Sequence, residues 1–368
     1  MKSFRILQTL AGLHLGGAEQ LVASLSAWLQ SRGHEVVVAN LTAERAMMYA
    51  FERENIRVVQ AEDRRLLSRW YPCRLAKLIH QFRPDVVHCH NTAWLKTASA
   101  CWWTGTPCVF TLHNYHDRWL QQHARRLRSA ARLTSFCVGV APGIEQLFTQ
   151  ILGVPAERTA YIRNGIADVY MSNPPAPDWG MPIPKNAVVV AMVARFDGHQ
   201  KDQSTLVRAV QMARQSVPNL HLVLIGDGPH RPAVEVLVDD LNARGYVHFL
   251  GMRGDVHVLL HHVDLFVLSS KIEGESLAIL EAMSAQRPII ATAVGGTPSL
   301  LANGECGVLV PPGDAQAMAQ AIVDLLQNRE KAQQLAAFAR QRFLREYTID
   351  RMAERYLELY VKAIASRR

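Results

Sequence analysis

No apolar run in the 368 residues approaches the ~20 that a bilayer-spanning helix needs. The six cysteines (Cys73, Cys89, Cys101, Cys108, Cys137, Cys306) are scattered and form no C-x-x-C pair. They are expected to be buried free thiols of a reducing compartment, which points to the cytoplasm. The start, MKSFRILQTLAGLHLGGAEQ, has no A-x-A-like cleavage site, so it reads as a first buried strand rather than a leader. No G-x-G-x-x-G is present at Leu15-Gly16-Gly17-Ala18-Glu19, which argues against a nicotinamide cofactor. No nucleic-acid-binding module is recognisable, so nucleic acid is not an expected partner. Acidic residues are scarce in one half only. Residues 1–170 carry 20 Lys+Arg against 12 Asp+Glu, whereas residues 171–368 carry 20 of each. The whole excess of +8 therefore lies in the first half and suggests a face for an anionic partner.

What is present is an alternation of short, β-branched apolar runs with helical patterns. FRILQTL, EVVVANL, RVVQA, DVVHC, PCVFTL, FCVGV and TAYIR read as strands buried on both faces. Helical patterns such as Ala18–Ser31, Pro72–Phe82 and Pro142–Leu152 separate them. The stretch from Met171 to Ala187 holds five prolines and reads as a linker. The alternation then restarts with AVVVAMVAR, LHLVLIGDG, YVHFLG, DLFVLSS and RPIIATAVGG, and from about Asp314 the chain is helical. The expectation is α/β with two doubly wound Rossmann-like domains, whose ligands bind outside the strand carboxyl ends. The expected boundaries are 1–170, a linker over 171–186, 187–347, and a final helical segment over 348–368.

The strongest chemical signal is Glu273-Gly274-Glu275-Ser276-Leu277-Ala278-Ile279-Leu280-Glu281 after DLFVLSS. A helix starting near Ser276 would offer free N–H groups and a positive dipole end to an anion. Glu281 would lie about 7–8 Å further along that helix, beside the next part of a diphosphate ligand. Glu273 would face the other side. VARFDGHQKDQSTLVRA places Arg195 at a strand end and Lys201 just before a helix, a fork and a point charge suited to phosphate. Gly226-Asp227-Gly228-Pro229 and Gly251-Met252 end neighbouring strands and permit close backbone approach. In the first half, Gly16 and Gly17 offer the same, and Thr111-Leu112-His113-Asn114 sets His113 at a strand end. His88 and His90 share a strand face, but no carboxylate or thiolate cluster accompanies them, so no metal is expected.

These blocks, in order, resemble the retaining GT-B glycosyltransferases of family 4. In the second half VARF…QKDQSTLVRA, LVLIGDGP, VHFLGMRGDV, EGESLAILEAM, RPIIATAVGGTPSLL and GVLVPPGDAQAMAQAI carry the likeness. In the first, HLGGAEQ, DVVHCHN, TLHN and RNG do. The resemblance implies two Rossmann-like domains facing a central cleft. Glu273 would contact the donor sugar and Glu281 the ribose, with Arg195 and Lys201 on the donor phosphates. Gly16, Gly17, Asn164, Gly226, Met252, Ser276 and Leu277 would line the donor, and His113 would lie near the transferred sugar. Three positions depart from the family pattern: Glu275-Ser276 where Phe-Gly is common, Ala167 with Asp168 one place later after Asn164-Gly165-Ile166, and Ala141 for serine.

The resemblance further implies a UDP- or GDP-sugar donor, a hexosyl- or N-acetylhexosaminyltransferase activity, and no cofactor. A glycan or lipid-linked acceptor of surface polysaccharide or lipopolysaccharide synthesis would meet the basic half. Arg64-Arg65-Leu66-Leu67-Ser68-Arg69-Trp70-Tyr71 and Arg118-Trp119 through Arg128 interleave basic and apolar residues, a pattern suited to an anionic membrane surface. Rival readings are a sugar-nucleotide epimerase of the same fold and an inactive subunit of a transferase complex.

Overall fold

The computed structural model describes residues 3–14, 16–62, 72–113 and 117–366, without the side chains of residues 117–119. Leu15, Asn114 and the basic stretch Arg64 to Tyr71 lie outside the described residues, as do the side chains of Arg118 and Trp119. The chain divides into two compact units, Met1–Ala167 with Ile349–Arg368, and Asp168–Thr348.

In the first unit, β1 (Arg5–Leu10), β2 (Glu35–Asn40), β3 (Arg57–Gln60), β4 (Val86–His90), β5 (Cys108–Leu112), β6 (Phe136–Gly139) and β7 (Thr159–Tyr161) form one parallel sheet, ordered β3-β2-β1-β4-β5-β6-β7. Parallel pairing requires crossovers, and helices such as Gly17–Ser31, Cys73–Phe82 and Trp94–Thr104 supply them. The strands are mostly apolar, as burial on both faces requires, with Gln8, His88, His90 and Thr111 among the buried polar exceptions. Trp94 stacks on Phe110 with ring centroids 3.8 Å apart, and Phe148 meets both edge-on. Each such buried ring contributes about 1.5–3 kcal/mol from burial. The expectation of buried thiols holds for five cysteines and fails at Cys73, which is exposed. Cys73 is the first residue of the helix Cys73–Phe82, whose buried face is Leu75, Ile79 and Phe82.

The last helix, Ile349–Ala365, belongs to this first unit. It buries Met352, Ala353, Tyr356, Leu359, Tyr360 and Ala363. Asp350 at its start accepts from Trp28 Nε1 at 2.8 Å and pairs with Arg32.

In the second unit, β8 (Val188–Val193), β9 (Leu220–Ile225), β10 (Val247–Gly251), β11 (Leu265–Leu268), β12 (Ile289–Thr292) and β13 (Val308–Val310) form a parallel sheet ordered β10-β9-β8-β11-β12-β13. β13 is too short, at three residues, to show a pattern in sequence. The proline-rich stretch 171–186 lies in this unit, tied down where Met171 N–H donates to His261 Nε2, His262 Nε2 donates to the Pro175 carbonyl, and Arg253 donates to the Asp178 carbonyl. Asp168 is bound by Arg340 through both oxygens, at 2.6 and 2.7 Å, and by Ser284 Oγ at 2.8 Å. Side-chain caps start the helices: Asp202 for Gln203–Ala213, Ser276 for Leu277–Ser284, Asp314 for Ala315–Gln327 and Asn328 for Arg329–Glu346. Each accepts an otherwise orphaned N–H three residues on, worth roughly 1 kcal/mol.

Both sheets reverse direction once, between β1 and β4 and between β8 and β11. In each unit the ligand-binding position of an open α/β sheet is therefore the carboxyl end of those two strands.

Candidate functional site

At the β8/β11 switch point two loops are stitched together. Asp202 N–H donates to the Ser269 carbonyl at 2.8 Å, and Lys271 N–H donates to the Gln200 carbonyl at 2.7 Å. This fixes Lys201 opposite Ser270. Lys201 Nζ reaches Glu273 Oε1, which also accepts from Ser270 Oγ at 2.7 Å. Ser270 is in turn held at its backbone by Thr292 Oγ1. Both ends of the ion pair are largely enclosed, with side-chain exposures of 17% for Lys201 and 8% for Glu273.

The loop before Lys201 is organised by Asp197. Its Oδ1 accepts the backbone N–H groups of His199, Gln200 and Lys201 at 3.1, 2.8 and 3.1 Å, and Arg195 Nη2 reaches its Oδ2 at 3.3 Å. Burial pushes the Asp197 carboxyl up, but the N–H bonds and Arg195 outweigh it and leave it below the usual carboxylate range. Arg195 remains nearly half exposed, at 47%.

Glu273 to Ser276 then runs against the turn after β12. Gly296 N–H donates to the Gly274 carbonyl at 3.1 Å. Gly295, at φ +52°, presses so close to the Glu273 carbonyl that any Cβ would collide with it. Only glycine adopts this backbone without strain. The helix Leu277–Ser284 starts here, and Ser276 Oγ accepts from Ile279 N–H. Glu281 occupies the fifth position of that helix, and its carboxylate makes no hydrogen bond or ion pair among the described residues. Part of its surface is open to solvent, yet protein surrounds it on most sides. Desolvation pushes its carboxyl up to about 7.

On the β9 and β10 side, Gly226 N–H donates to the Gly251 carbonyl at 2.8 Å, joining the two glycine turns. A Cβ on Gly226 would strike the Ala194 carbonyl, so the glycine allows this loop to lie directly beside Arg195. Met252 follows with half its surface exposed.

In the first unit, Gly16 is extended (φ −166°, ψ 161°) and immediately precedes the helix Gly17–Ser31. Asn164 is buried beyond β7. His113 follows β5 directly, receives an anchor where its backbone N–H donates to Asn91 Oδ1 at 3.0 Å, and meets His90 Nδ1 through Nε2 at 2.9 Å. Burial pushes its imidazole down to about 4, so it is neutral at physiological pH. His88 and His90 are also held neutral by burial. They bond Tyr360, Thr111, Gln8 and His113. Among the described residues no group of three His, Cys, Asp or Glu has the arrangement to hold a metal ion.

The structure thus brings Arg195, Lys201, Gly226, Glu273 and Ser276 to one sheet end, with Leu277 and Glu281 on the helix that leaves it, and sets Met252 on the adjoining strand end. His113, Gly16, Gly17 and Asn164 belong to the other unit. Sequence reasoning missed Asp197, Ser270, Thr292 and Gly295. Asp197-Gly198 is a turn signature, and it could have marked the first of these.

The chain matches the model of the glycosyl transferases group 1 over residues 178–342 and that of glycosyltransferase family 4 over residues 15–168. It is a glycosyltransferase of the GT4 type. Its GT-B fold is shared with Anabaena HepE, solved with UDP and glucose, at TM-score 0.84 and 24% identity over 98% of this chain and 100% of HepE. EpsD of Bacillus subtilis is 26% identical over 350 residues, 89% of this chain and 90% of EpsD. LpsE of Rhizobium meliloti, a lipopolysaccharide core biosynthesis glycosyltransferase, is 32% identical over 176 residues, 48% of this chain and 50% of LpsE. No helix among the described residues of this GT4-type chain is long and apolar enough to cross a membrane.

Proposed function

We propose that the chain is a retaining transferase that moves a hexosyl or N-acetylhexosaminyl unit from a nucleoside diphosphate sugar to a glycan or lipid-linked acceptor. The observation that carries the donor reading is the second-unit constellation itself. An enclosed Lys201–Glu273 pair stands before a capped helix start, and the unpartnered Glu281 stands one turn into that helix. Isolated half-buried carboxylates are costly, and a ribose diol donating two hydrogen bonds would offset that cost. Arg195, Lys201 and the N–H groups at Ser276 and Leu277 would stabilise the negative charge that develops on the leaving β-phosphate. Glu273 would take hydroxyls of the donor sugar. Gly226 and Met252 would flank the base, and within the first unit Gly16, Gly17, Asn164 and His113 are the proposed ligand-contacting positions. UDP is the favoured nucleotide, because HepE carries it.

Surface polysaccharide or lipopolysaccharide synthesis is the favoured setting, supported by the likeness to LpsE. The acceptor would approach at the cytoplasmic face of an anionic membrane. Supporting this are the exposed Trp102 at the end of the helix Trp94–Thr104 and the exposed Arg125 and Arg126 on the neighbouring helix Asp117–Arg132. Indole rings and basic side chains both favour such an interface.

The test is thermal unfolding with UDP, GDP, ADP and CMP, on the wild type and on Arg195→Ala. A ligand at 100 times its Kd adds about 2.7 kcal/mol of stability. One diphosphate should stabilise the wild type and not the variant. Absence of any shift at millimolar nucleotide would refute the donor site, and an inverted anomer in the product would refute the retaining course.

A further inference from the structure

Strands buried on both faces normally carry apolar residues, yet β1, β4 and β5 place Gln8, His88, His90 and Thr111 in the interior with almost no exposure. The final helix adds two more buried hydroxyls, Tyr356 and Tyr360. These groups form one continuous chain that ends on His113. Gln8 sits at its centre, with Oε1 facing His90 Nε2 at 2.9 Å and Nε2 donating to Tyr360 Oη at 3.4 Å.

The Gln8 amide sets the protons on the His113 side of the chain, because a neutral imidazole has one ring donor and one ring acceptor to place. The Gln8 oxygen only accepts, so His90 carries its proton on Nε2, and its Nδ1 is an acceptor. His90 Nδ1 lies 2.9 Å from His113 Nε2, so His113 Nε2 must carry a proton and donate it inward. In the other direction, Tyr360 accepts from Gln8 and donates to His88 Nδ1 at 2.7 Å. His88 Nε2 then donates to Thr111 Oγ1 at 2.7 Å, and Thr111 donates to Tyr356 Oη at 3.1 Å. All the bonds run in one sense. Reversing the His113 tautomer would require turning the Gln8 amide over and reversing each hydroxyl and imidazole behind it. Burial makes any half-reversed chain costly, since it leaves two donors or two acceptors facing each other.

We propose that Gln8, His90 and Tyr360 are positioning residues that lock His113 as its Nε2–H tautomer, so that His113 meets a substrate hydroxyl only as a hydrogen-bond acceptor, through Nδ1. With Nε2 committed to His90, Nδ1 is the ring nitrogen that this tautomer makes an acceptor. A neutral imidazole in this tautomer accepts a hydroxyl proton in a hydrogen bond and does not donate to a phosphate or carbonyl oxygen. The inference deepens the assignment of His113 to the transfer reaction and rests on it. It also gives the final helix a part in the site, because that helix supplies Tyr360.

The test reads the tautomer directly, by two-bond proton–nitrogen correlation on the full chain labelled with 15N-histidine, His113 being assigned with a His113→Asn sample. The wild type should show His113 protonated on Nε2. Gln8→Leu removes the oxygen that orients His90, and should give a tautomer mixture with kcat lowered about tenfold, the loss of one neutral hydrogen bond. Tyr360→Phe, the second route should Gln8→Leu fail to fold, removes the hydroxyl that orients the Gln8 amide and should also mix the tautomers. Tyr356→Phe deletes a hydroxyl of the same helix at the far end of the chain and should leave the His113 tautomer unchanged. An Nδ1–H tautomer in the wild type would overturn the proposal. So would an unchanged His113 in folded Gln8→Leu or Tyr360→Phe. A mixed tautomer with unchanged kcat would uphold the positioning chain and overturn the assignment of His113 to the reaction.

Discussion

Glu281 shows how a single residue can serve a ligand at the expense of the free protein. Its carboxyl titrates at about 7 in the folded state, raised from an ordinary value of 4.5 by desolvation. The folded protein therefore prefers the neutral acid. Relative to the unfolded chain there is no penalty below pH 4.5, and the penalty grows as pH rises until it is complete above about 7. Glu281→Gln should stabilise the unliganded protein by about 1–3 kcal/mol at pH 8, with little difference at pH 4.5, as followed by Tm against pH. The same variant should lose nucleotide affinity, because the amide presents one acceptor in place of two. A variant less stable than wild type at pH 8 would show that Glu281 has a protein partner. Spacing placed Glu273 before a helix start and Glu281 in its second turn, but it was the accompanying blocks and the family resemblance that made Glu273, Ser276 and Glu281 legible as a site. That Glu281 is unpartnered, and that Glu273 is already engaged by Lys201 and Ser270, depends on a tertiary neighbour 72 residues away for the first of these bonds.

At the scale of elements, twelve of the thirteen described strands were legible to within a few residues, β13 excepted, because parallel strands buried on both faces are largely continuous in apolar character. The loops between them were not. Arg195 and Lys201 stood out as charges, whereas Asp197, which shapes the loop that presents Lys201, read as an ordinary turn residue. Its oxygen gathers three consecutive N–H groups, and Asp197→Ala leaves all three without their acceptor. That change should cost about 1–3 kcal/mol and weaken diphosphate binding together with stability. Because the folded carboxyl lies below its ordinary value of 3.8, the stabilisation is full above about pH 4 and is lost as pH falls through the folded value. A series of denaturant titrations from pH 7 downward checks both parts: the gap between wild type and Asp197→Ala should be wide at pH 7 and should narrow progressively below about pH 4. Equal stability at pH 7 would remove Asp197 from this role.

For the whole molecule, the sequence separation of the final helix conceals where it belongs. Residues 349–366 follow the second unit directly, yet they complete the core of the first. Their amphipathic pattern predicts a helix and a buried face, but nothing in periodicity names the surface that receives it. The receiving surface is itself unusual, since Gln8, His88 and Thr111 are polar groups in strand interiors. They are tolerable there because Tyr356 and Tyr360 arrive to satisfy them. Removing residues 349–368 would therefore expose apolar core and strand at least Gln8 and His88 without their hydroxyl partner. Four large side chains, Met352, Tyr356, Leu359 and Tyr360, leave the interior. At roughly 1.5–3 kcal/mol each, their loss is comparable with the 5–15 kcal/mol that holds a domain folded. Hydrogen exchange on the truncated chain should show β1, β4 and β5 unprotected while β8, β9 and β11 keep their protection, since no residue of the second unit's core is removed. Loss of protection in both sheets would mean that the units fold as one cooperative body. Retained protection in β1, β4 and β5 would mean that the tyrosines are dispensable to the sheet they complete, and the polar interior of that sheet would then need another explanation.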